Sequence, residues 1–259
     1  MPMRTNWQIQ HLATSPSSND ALAHGLRNQS INQATALLVD EQTAGKGRMG
    51  RSWLSDPHTS LTFSVAHPIY RSFAELSGLS LACGLKIWQG IAKACSISKE
   101  ELYARGCRLK WPNDLYIHNQ KVGGILIEAV SPQANQHWLV IGIGLNLLGT
   151  PQHSSINQAG SLSDILDPRY LVRENLFRAI LDELADLFQD FAQGDFSQFQ
   201  AEWNRWHLFQ NLECQIVQEG QVIDTGIALG VDTQGQLELK TSTGIRKIMA
   251  GDVSLRKQA

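Results

Sequence analysis

A glycine-rich basic segment, Gly-Lys-Gly-Arg-Met-Gly-Arg at residues 45–51, lies between two runs with strand character. Residues 35–40 form a short apolar run, and residues 60–67 alternate between apolar and polar side chains. Glycine lets the backbone turn sharply and lets main-chain N–H groups approach an anion, while lysine and arginine supply the countercharge. The sequence therefore predicts a loop that joins two strands and receives an anion such as an adenylate or a carboxylate.

Two other nucleotide-binding motifs do not fit the sequence. The segment nearly fits a P-loop, but Arg51 stands where that motif requires lysine. A P-loop also leads into a helix, whereas Asp56-Pro57 and the alternation that follows predict a strand. Gly142 and Gly144 are followed by glycine only at position 149, which misses the dinucleotide fingerprint.

A second unusual string, Lys110-Trp111-Pro112-Asn113-Asp114, interrupts two short strand-like runs. Proline followed by amide and acidic residues favours a tight turn, which places Lys110 at the end of a strand. Residues 121–130 and 138–147 are rich in strand-forming side chains, and turn-forming residues at 131–135 separate them. They predict an antiparallel hairpin whose glycines allow close approach by a ligand.

Helical periodicity and composition complete the predicted fold. Helices are expected after a capping residue near residues 17–20 and over residues 73–95, 171–191 and 196–206. From residue 213 onward, short alternating runs are divided by glycine-containing turns, which indicates a compact all-β unit. We therefore predict an α+β chain with two domains, residues 1–208 and 209–259, the first built on a mixed β-sheet flanked by helices.

Net charge, cysteine and histidine spacing and the length of apolar stretches exclude several classes of protein. The net charge of -2 gives no support for a large basic, nucleic-acid-binding surface. The four cysteines and eight histidines show no metal-ligand spacing. No apolar stretch reaches the roughly 18 residues of a membrane span, and the first residues lack the apolar core of a signal peptide. We expect a cytoplasmic protein without a dedicated metal site.

Four strings together resemble biotin–protein ligases, and in the same order: residues 45–51, 110–114, 121–126 (Lys-Val-Gly-Gly-Ile-Leu) and 142–146 (Gly-Ile-Gly-Leu-Asn). Residues 251–256 are similar to the end of the small β-domain of that family. The resemblance covers nearly the whole chain and fits the monofunctional type, which lacks the N-terminal DNA-binding domain. It implies a class II synthetase-like catalytic domain with a small C-terminal all-β barrel.

The resemblance also implies the reaction. Members of the family activate biotin with MgATP to form biotinyl-5′-AMP and pyrophosphate. They then transfer the biotinyl group to one lysine of a biotin carboxyl carrier protein, a subunit of acetyl-CoA carboxylase. For this chain we accordingly expect ATP and Mg²⁺ as cofactors, biotin as substrate, no DNA or membrane partner, and a monomer or homodimer.

Site residues follow position by position from the resemblance. Biotin-binding residues are expected at Ser17, Ser18, Asn19, Gln42, Lys46, Gly47, Arg48, Lys110 and Gly124. Adenylate-binding residues are expected at Arg48, Arg51, Trp53, Asn113 and Asn146. Ser18 replaces the family's threonine and keeps a hydroxyl, whereas Lys46 replaces the commoner arginine and loses its planar fork.

Lys110 is the principal catalytic candidate, with Arg48 beside it. Lys110 is expected to contact the biotin carboxylate and the reacting phosphate, where a fixed cation reduces the repulsion between two anions. Asp114 is either a turn residue or a ligand of Mg²⁺ through water. Two alternatives remain open: a lipoate–protein ligase, whose arginine and triple-glycine signature is not visible here, and a biotin-binding module without chemistry.

Overall fold

The computed structural model describes residues 5–133, 136–150, 159–251 and 253–257, and its larger sheet has seven strands in the order β1-β2-β3-β7-β6-β5-β4. These strands are β1 (Gln8–Ser15), β2 (Thr35–Gln42), β3 (Ser60–Ile69), β4 (Cys107–Lys110), β5 (Asp114–Ile117), β6 (Gln120–Gln133) and β7 (Gln136–Asn146). Among the strands that the structure describes, only β1 and β2 pair in parallel, so the sheet is mixed. The predicted mixed sheet is confirmed.

In the described residues, five α-helices cover the sheet: α1 (Ser18–Arg27), α2 (Leu79–Ala94), α3 (Lys99–Ala104), α4 (Arg173–Gln193) and α5 (Ser197–Trp206). Helix α1 packs on one face and shares a small core with Leu37 and Val39 of β2. Ala36 and Leu38 point to the opposite face, into the larger core that α2 and α4 complete. Burial on both faces explains the unbroken apolar run in β2.

The predicted hairpin of β6 and β7 is present, with Gly124 opposite Gly144 and Leu126 opposite Gly142. Its turn lies partly outside the described residues, at positions 134 and 135. The β4–β5 hairpin places Lys110 directly opposite Asp114. Four strands therefore bring their glycines and charged residues to one region of the sheet.

The prediction of one long helix over residues 73–95 is wrong. A short 3₁₀ turn, Phe73–Leu76, is followed by α2 from Leu79. Gly78 separates them with a φ of 78°, a left-handed conformation that glycine adopts without strain. A Cβ atom at Gly78 would lie 2.3 Å from the ring of Phe196, so close packing and backbone geometry both require the break.

The C-terminal strands form a five-stranded antiparallel sheet in the order β11-β10-β9-β8-β12. They are β8 (Glu213–Gln218), β9 (Gln221–Val231), β10 (Leu237–Thr241), β11 (Gly244–Ile248) and β12 (Val253–Lys257). The all-β prediction is confirmed, but the expected barrel is open, because the described parts of β11 and β12 are unpaired edges. No helix in the described residues has the length and apolar character needed to cross a membrane.

The two sheets share one hydrophobic core. Leu109 of the first sheet and Trp111 of the turn after β4 belong to the same buried cluster as Cys214 and Leu255 of the second sheet. The Trp111 indole N–H donates to the carbonyl of Gly235, 3.2 Å away. The division at residue 209 stays a prediction, since packing is continuous across it.

Candidate active site

A cavity of about 250 Å³ lies where the start of α1, residues 46–53 and the β4–β5 turn meet strands β6, β7 and β12. Nearly all of the predicted site residues line it: Ser17, Ser18, Asn19, Gln42, Lys46, Gly47, Arg48, Arg51, Trp53, Lys110, Asn113, Asp114 and Gly124. Asn146 is the exception, being buried at the end of β7. The cavity has two chemically different sides.

One side, here called the neutral wall, consists of Ser17, Ser18, Asn19 and Gln42. Ser17 caps α1, and its hydroxyl accepts from the backbone N–H of Asp20. The backbone N–H of Ser18 donates to Gln42 Oε1 over 2.8 Å. The Ser18 hydroxyl lies 3.1 Å from the same oxygen and 2.6 Å from Ser64 Oγ, so its single proton has a choice of acceptors.

Asn19 is held by neighbours that surround its amide. Its Nδ2 donates to Glu128 Oε2 over 2.7 Å, and its Oδ1 accepts from the hydroxyl of Ser64 over 2.6 Å. A Cβ atom at Gly142 would lie 2.4 Å from Asn19 Oδ1, which explains the glycine in β7. Asn19 therefore has a fixed orientation before any ligand arrives.

Residues 45–53 form a small hairpin, here called the basic hairpin. Lys46 pairs with Ser52, the N–H of Gly47 donates to the carbonyl of Arg51 over 2.7 Å, and the N–H of Trp53 donates to the carbonyl of Gly45 over 2.8 Å. Its turn has positive φ values at Met49 (57°) and Gly50 (70°). The predicted strand-to-strand loop is thus a folded element with its own hydrogen bonds.

Two side chains attach the basic hairpin to the rest of the site. Lys46 Nζ lies 2.7 Å from Asp20 Oδ2 in α1, and this hydrogen bond raises the pKa of the lysine. Arg48 donates to Asn113 Oδ1 over 3.3 Å and also to the carbonyl of Gly251. Arg48 therefore joins the hairpin to the β4–β5 turn and to the C-terminal sheet.

Lys110 occupies a largely desolvated position in the cavity. Its Nζ lies 3.3 Å from the hydroxyl of Tyr116 and 5.7 Å from the centre of the Phe209 ring. Burial lowers the pKa of the Lys110 ammonium; the carboxylate of Asp114 opposes this shift, whereas Lys121, Arg256 and Arg51 add to it. Burial also raises the pKa of Tyr116, whose neutral hydroxyl accepts from the ammonium.

Asp114 forms an ion pair with Lys121, at 2.6 Å between Oδ1 and Nζ. Both side chains pass over Gly124, where a Cβ atom would lie 3.3 Å from the lysine nitrogen. The Lys121 nitrogen also lies 5.8 Å from the centre of the Trp53 ring. We call Arg48, Arg51, Lys110 and Lys121, together with Asp114, the cationic wall.

Trp53 and Asn146 each leave one buried polar atom without a hydrogen bond in the described part of the chain, Nε1 of Trp53 and Oδ1 of Asn146. The Trp53 indole packs against Gly144, where a Cβ atom would lie 2.4 Å from the ring. Asn146 donates through Nδ2 to the carbonyl of Gly160 over 2.9 Å. Trp53 therefore contributes to the cavity, while Asn146 holds the backbone beside it.

Sequence reasoning missed several residues that complete the site. Ser64 and Glu128 orient Asn19, Tyr116 contacts Lys110, and Lys121 pairs with Asp114. Residues 253–255 of β12 also line the cavity. Lys121 and residues 253–255 lie in strings already singled out by the resemblance, so a signal for them existed; the others depend on tertiary contacts.

The donors in the cavity suit Mg²⁺ only as a companion of phosphate. Asp114 is the one carboxylate among the described lining residues, and Lys121 already pairs with it. No group of three or more histidine, cysteine or acidic side chains suited to a metal occurs in the described residues. Mg²⁺ commonly keeps several waters and binds mainly through substrate phosphates, which this donor set permits.

Comparison with known proteins gives consistent matches along the chain. Residues 12–146 match the biotin/lipoate A/B protein ligase family, and residues 211–256 match the biotin protein ligase C-terminal domain. The chain is 30% identical to the biotin–[acetyl-CoA-carboxylase] ligase of Paracoccus denitrificans, over 84% of this chain and 88% of that protein. It is 29% identical to the bifunctional ligase/repressor BirA of Escherichia coli, over 87% of this chain and 68% of that protein.

The fold is also shared with a solved structure. The biotin protein ligase of Aquifex aeolicus, in complex with biotin and ATP, matches with a TM-score of 0.78 and 27% identity. The match covers 97% of this chain and 99% of that one. Similarity therefore extends over both sheets and the cavity between them.

Proposed function

Because this chain belongs to the biotin/lipoate A/B protein ligase family and is an ATP-dependent biotin–protein ligase, we propose that its cavity binds biotin along the neutral wall and the adenylate along the cationic wall. The observation that carries this assignment is the position of Lys110. A buried ammonium lies in the same cavity as a set of uncharged hydrogen-bonding groups. Biotin has the matching chemistry, with an uncharged polar ureido ring at one end and a carboxylate at the other.

The neutral wall suits the ureido ring. Ser18 and Gln42 present a hydroxyl and an amide, which together donate and accept hydrogen bonds. Asn19 is engaged by Glu128 and Ser64, so it serves chiefly to fix the wall's geometry. An uncharged ring requires oriented dipoles more than net charge, and this wall provides them.

The first step joins two anions. A carboxylate oxygen of biotin bonds to the α-phosphorus of ATP, and the bond to pyrophosphate breaks as pyrophosphate leaves with the electron pair. Lys110 would reduce the repulsion between carboxylate and phosphate and stabilise the charge that grows on the phosphate oxygens. Arg48 would act in the same way. A fixed donor at such a centre typically lowers the activation free energy by about 3–4 kcal/mol.

The second step needs positioning and exclusion of water. The amine of the acceptor lysine attacks the carbonyl carbon of the mixed anhydride, AMP leaves, and one proton is released. The basic hairpin lies over the cavity through its contacts to Asp20, Asn113 and Gly251. Hydrolysis of the intermediate would compete unless this cover stays closed until the acceptor arrives.

Mg²⁺ would be held chiefly by the phosphates of ATP, since Asp114 is the only described carboxylate in the cavity and is paired with Lys121. When bound, it supplies charge neutralisation of the departing pyrophosphate. The protein's own residues hold biotin, align the phosphate and cover the intermediate.

The acceptor we propose is a biotin carboxyl carrier protein domain, in keeping with the relatives named as biotin–[acetyl-CoA-carboxylase] ligases. The location we propose is the cytoplasm. We propose a monomer or homodimer that acts without DNA as a partner.

The test is release of pyrophosphate from MgATP by the purified protein with no acid, with biotin and with lipoate. A carrier domain added in parallel should become labelled only with biotin. Release with lipoate alone would move the protein to the lipoate branch of the family. If the protein binds biotin but releases no pyrophosphate, it is a biotin-binding module without catalytic activity.

A further inference from the structure

Glu128 of β6 supports the neutral wall without belonging to the set of residues that line the cavity. Its Oε2 atom accepts from Nδ2 of Asn19 over 2.7 Å, and the carbonyl of Leu126 accepts from the same nitrogen over 3.4 Å. Carboxylate and carbonyl oxygens can only accept hydrogen bonds. The amide of Asn19 therefore has one orientation, with its nitrogen toward β6 and its oxygen toward Ser64.

This orientation passes from Asn19 through Ser64 to Ser18. The Asn19 Oδ1 atom can only accept, so the Ser64 hydroxyl, 2.6 Å away, gives it its single proton. The Ser64 oxygen then has only lone pairs left, and the Ser18 hydroxyl, also 2.6 Å away, donates to it. Gln42 Oε1, at 3.1 Å, is an alternative acceptor for the same proton. With either partner, the Ser18 proton stays within the wall, so Ser18 faces the cavity as an acceptor.

Gln42 is oriented independently of this chain of hydrogen bonds. Its Oε1 atom accepts from the backbone N–H of Ser18 over 2.8 Å, which makes the other end of the amide, Nε2, a donor. Nε2 lies near Gly45, where the basic hairpin begins. The neutral wall thus offers donors at Gln42 and an acceptor at Ser18. A ureido ring has the complementary groups, a carbonyl oxygen and ring N–H donors.

We propose that Glu128 is a positioning residue that sets the hydrogen-bond polarity of the neutral wall, so that the wall selects a ring with an N–H donor at Ser18. The inference rests on the proposed function and adds to it a basis for selectivity. The Glu128 carboxylate excludes the reversed arrangement, in which Asn19 turns its nitrogen to Ser64 and Ser18 donates into the cavity. A hydroxyl can donate or accept, so without this carboxylate the wall would distinguish the two kinds of ring less sharply.

Glu128 also acts on Lys46, and the test must separate this effect from the first. The pKa of Lys46 is raised mainly by its hydrogen bond with Asp20, and the nearby carboxylate of Glu128 adds to the rise. A cation at the edge of the cavity attracts every acid of the same charge. An effect of Glu128 through Lys46 would therefore change the affinities for biotin and for its neutral-ring analogues equally, and their ratio would stay constant.

The ligands for the test are biotin and its two cyclic carbamate analogues, in each of which one ring N–H is replaced by oxygen. Each analogue keeps the carboxylate and the shape of the ring but presents a lone pair where biotin presents a donor. The parent protein should bind biotin about 10–100-fold more tightly than the carbamate whose oxygen faces Ser18, since a buried acceptor then lacks a donor. Calorimetry without nucleotide measures the three affinities.

Glu128→Gln is the decisive variant, because its amide has nearly the same shape and can either accept from or donate to Asn19. The preference for biotin over that carbamate should fall by about 3–10-fold, the range for one neutral hydrogen bond. The KM for biotin in pyrophosphate release should rise, with kcat nearly unchanged. Glu41→Gln is the matched control, since Glu41 is exposed beside Gln42 in β2 and loses the same charge. It should keep the preference of the parent.

Ser18→Ala shows whether Glu128 acts through the acceptor of the wall. Loss of the hydroxyl should remove most of the preference for biotin, and adding Glu128→Gln should then change it no further, because coupled residues are not additive. An unchanged preference in Glu128→Gln would overturn the proposal. So would an equal fall with and without the Ser18 hydroxyl, or a parent that binds biotin and both carbamates equally.

Failure of the proposed function has a different signature. If the parent binds biotin but releases no pyrophosphate with it, the protein is not a ligase. The part of Glu128 in selecting the ring is then still decided by the ratios of affinities, which are measured without ATP on the same samples.

Discussion

The neutral wall and the cationic wall lie in one cavity but are built on opposite principles. In the neutral wall, buried polar groups satisfy one another through Ser64, Gln42 and Glu128. In the cationic wall, positive side chains outnumber the single carboxylate, and burial lowers the pKa of Lys110. The first wall is complete without a ligand, whereas the second becomes electrostatically balanced only when an anion binds.

This difference separates recognition from chemistry. A wall with internal hydrogen bonds keeps its shape and selects an uncharged ring at little ordering cost. A wall with excess positive charge stores electrostatic energy that is released as negative charge develops. Substitutions in the cationic wall should therefore change rate, and substitutions in the neutral wall should change affinity for biotin.

The largest effect is expected from Lys110→Met. Loss of the buried ammonium should lower the rate of adenylate formation by about 10²–10³-fold. The fold should be retained, with an unfolding temperature equal to or above that of the parent, because a costly buried charge has been removed. Single-turnover pyrophosphate release and thermal unfolding measure the two quantities; exposed Lys240→Met on β10 is the control. Near-parent turnover in Lys110→Met would end the assignment of Lys110 as catalytic.

Arg48→Ala should have the next largest effect, on retention of the intermediate. The variant loses the hydrogen bonds to Asn113 and to the Gly251 carbonyl, which hold the basic hairpin over the cavity. Loss of charge-assisted hydrogen bonds worth about 1.5–3 kcal/mol should speed escape of biotinyl-5′-AMP by roughly 10–100-fold. Labelling of a bystander protein on the far side of a dialysis membrane, in the presence of ATP and biotin, reports that escape. Labelling no faster than with the parent would show that the hairpin is not the cover.

Ser64→Ala tests the neutral wall, and Thr62→Val is its matched control. Both side chains are buried on the same face of β3, but Ser64 contacts Ser18 and Asn19 while Thr62 donates to the carbonyl of Val39. Each variant should lose about 1 kcal/mol of unfolding free energy. Only Ser64→Ala should weaken biotin binding, by roughly fivefold for a similar energy, with kcat for adenylation nearly unchanged. Equal loss of biotin affinity in both variants would indicate a general effect of β3.

The smallest effect is expected at the ion pair of Lys46 and Asp20, whose side chains are 50% and 49% exposed. Exposed pairs contribute little, so Asp20→Asn should change affinity for biotin or ATP by less than about threefold at physiological salt. The effect should shrink further as salt is raised, because the pair is screened. A salt-independent change of more than tenfold would mean that this pair belongs functionally to one of the two walls.

The sequence predicted the parts of the fold that local patterns determine. The apolar run of β2 and the paired runs of β6 and β7 follow from side-chain periodicity and turn residues. The sequence pattern did not predict the break in the helix at Gly78. The apolar spacing continues from Leu76 to Leu79, whereas the left-handed turn depends on packing against distant Phe196. The small C-terminal barrel is open rather than closed, since closure depends on the pairing of the edge strands, which local alternation does not encode.

The site residues also fall into two groups, those that a sequence motif predicts and those that only the fold brings together. Lys110 and Gly124 could be named in advance because each belongs to a compact string with a recognisable resemblance. The contact between Asp114 and Lys121 could not be predicted, because a register shift between Leu115 and Tyr116 decides which side chains meet. Tyr116 and Ser64 carry no motif, and only the folded sheet brings them to Lys110 and Asn19.

The contact between Arg48 and the carbonyl of Gly251 joins residues 203 positions apart in the chain. Strand β12 follows that carbonyl directly and adds residues 253–255 to the cavity. During synthesis on the ribosome, a nascent chain therefore possesses the charged lining residues between positions 46 and 121 before it possesses β12, which completes the cavity. The contact that holds the basic hairpin over the cavity therefore forms only after the chain has been made as far as Gly251, so a shorter nascent chain would release a reactive acyl phosphate rather than retain it.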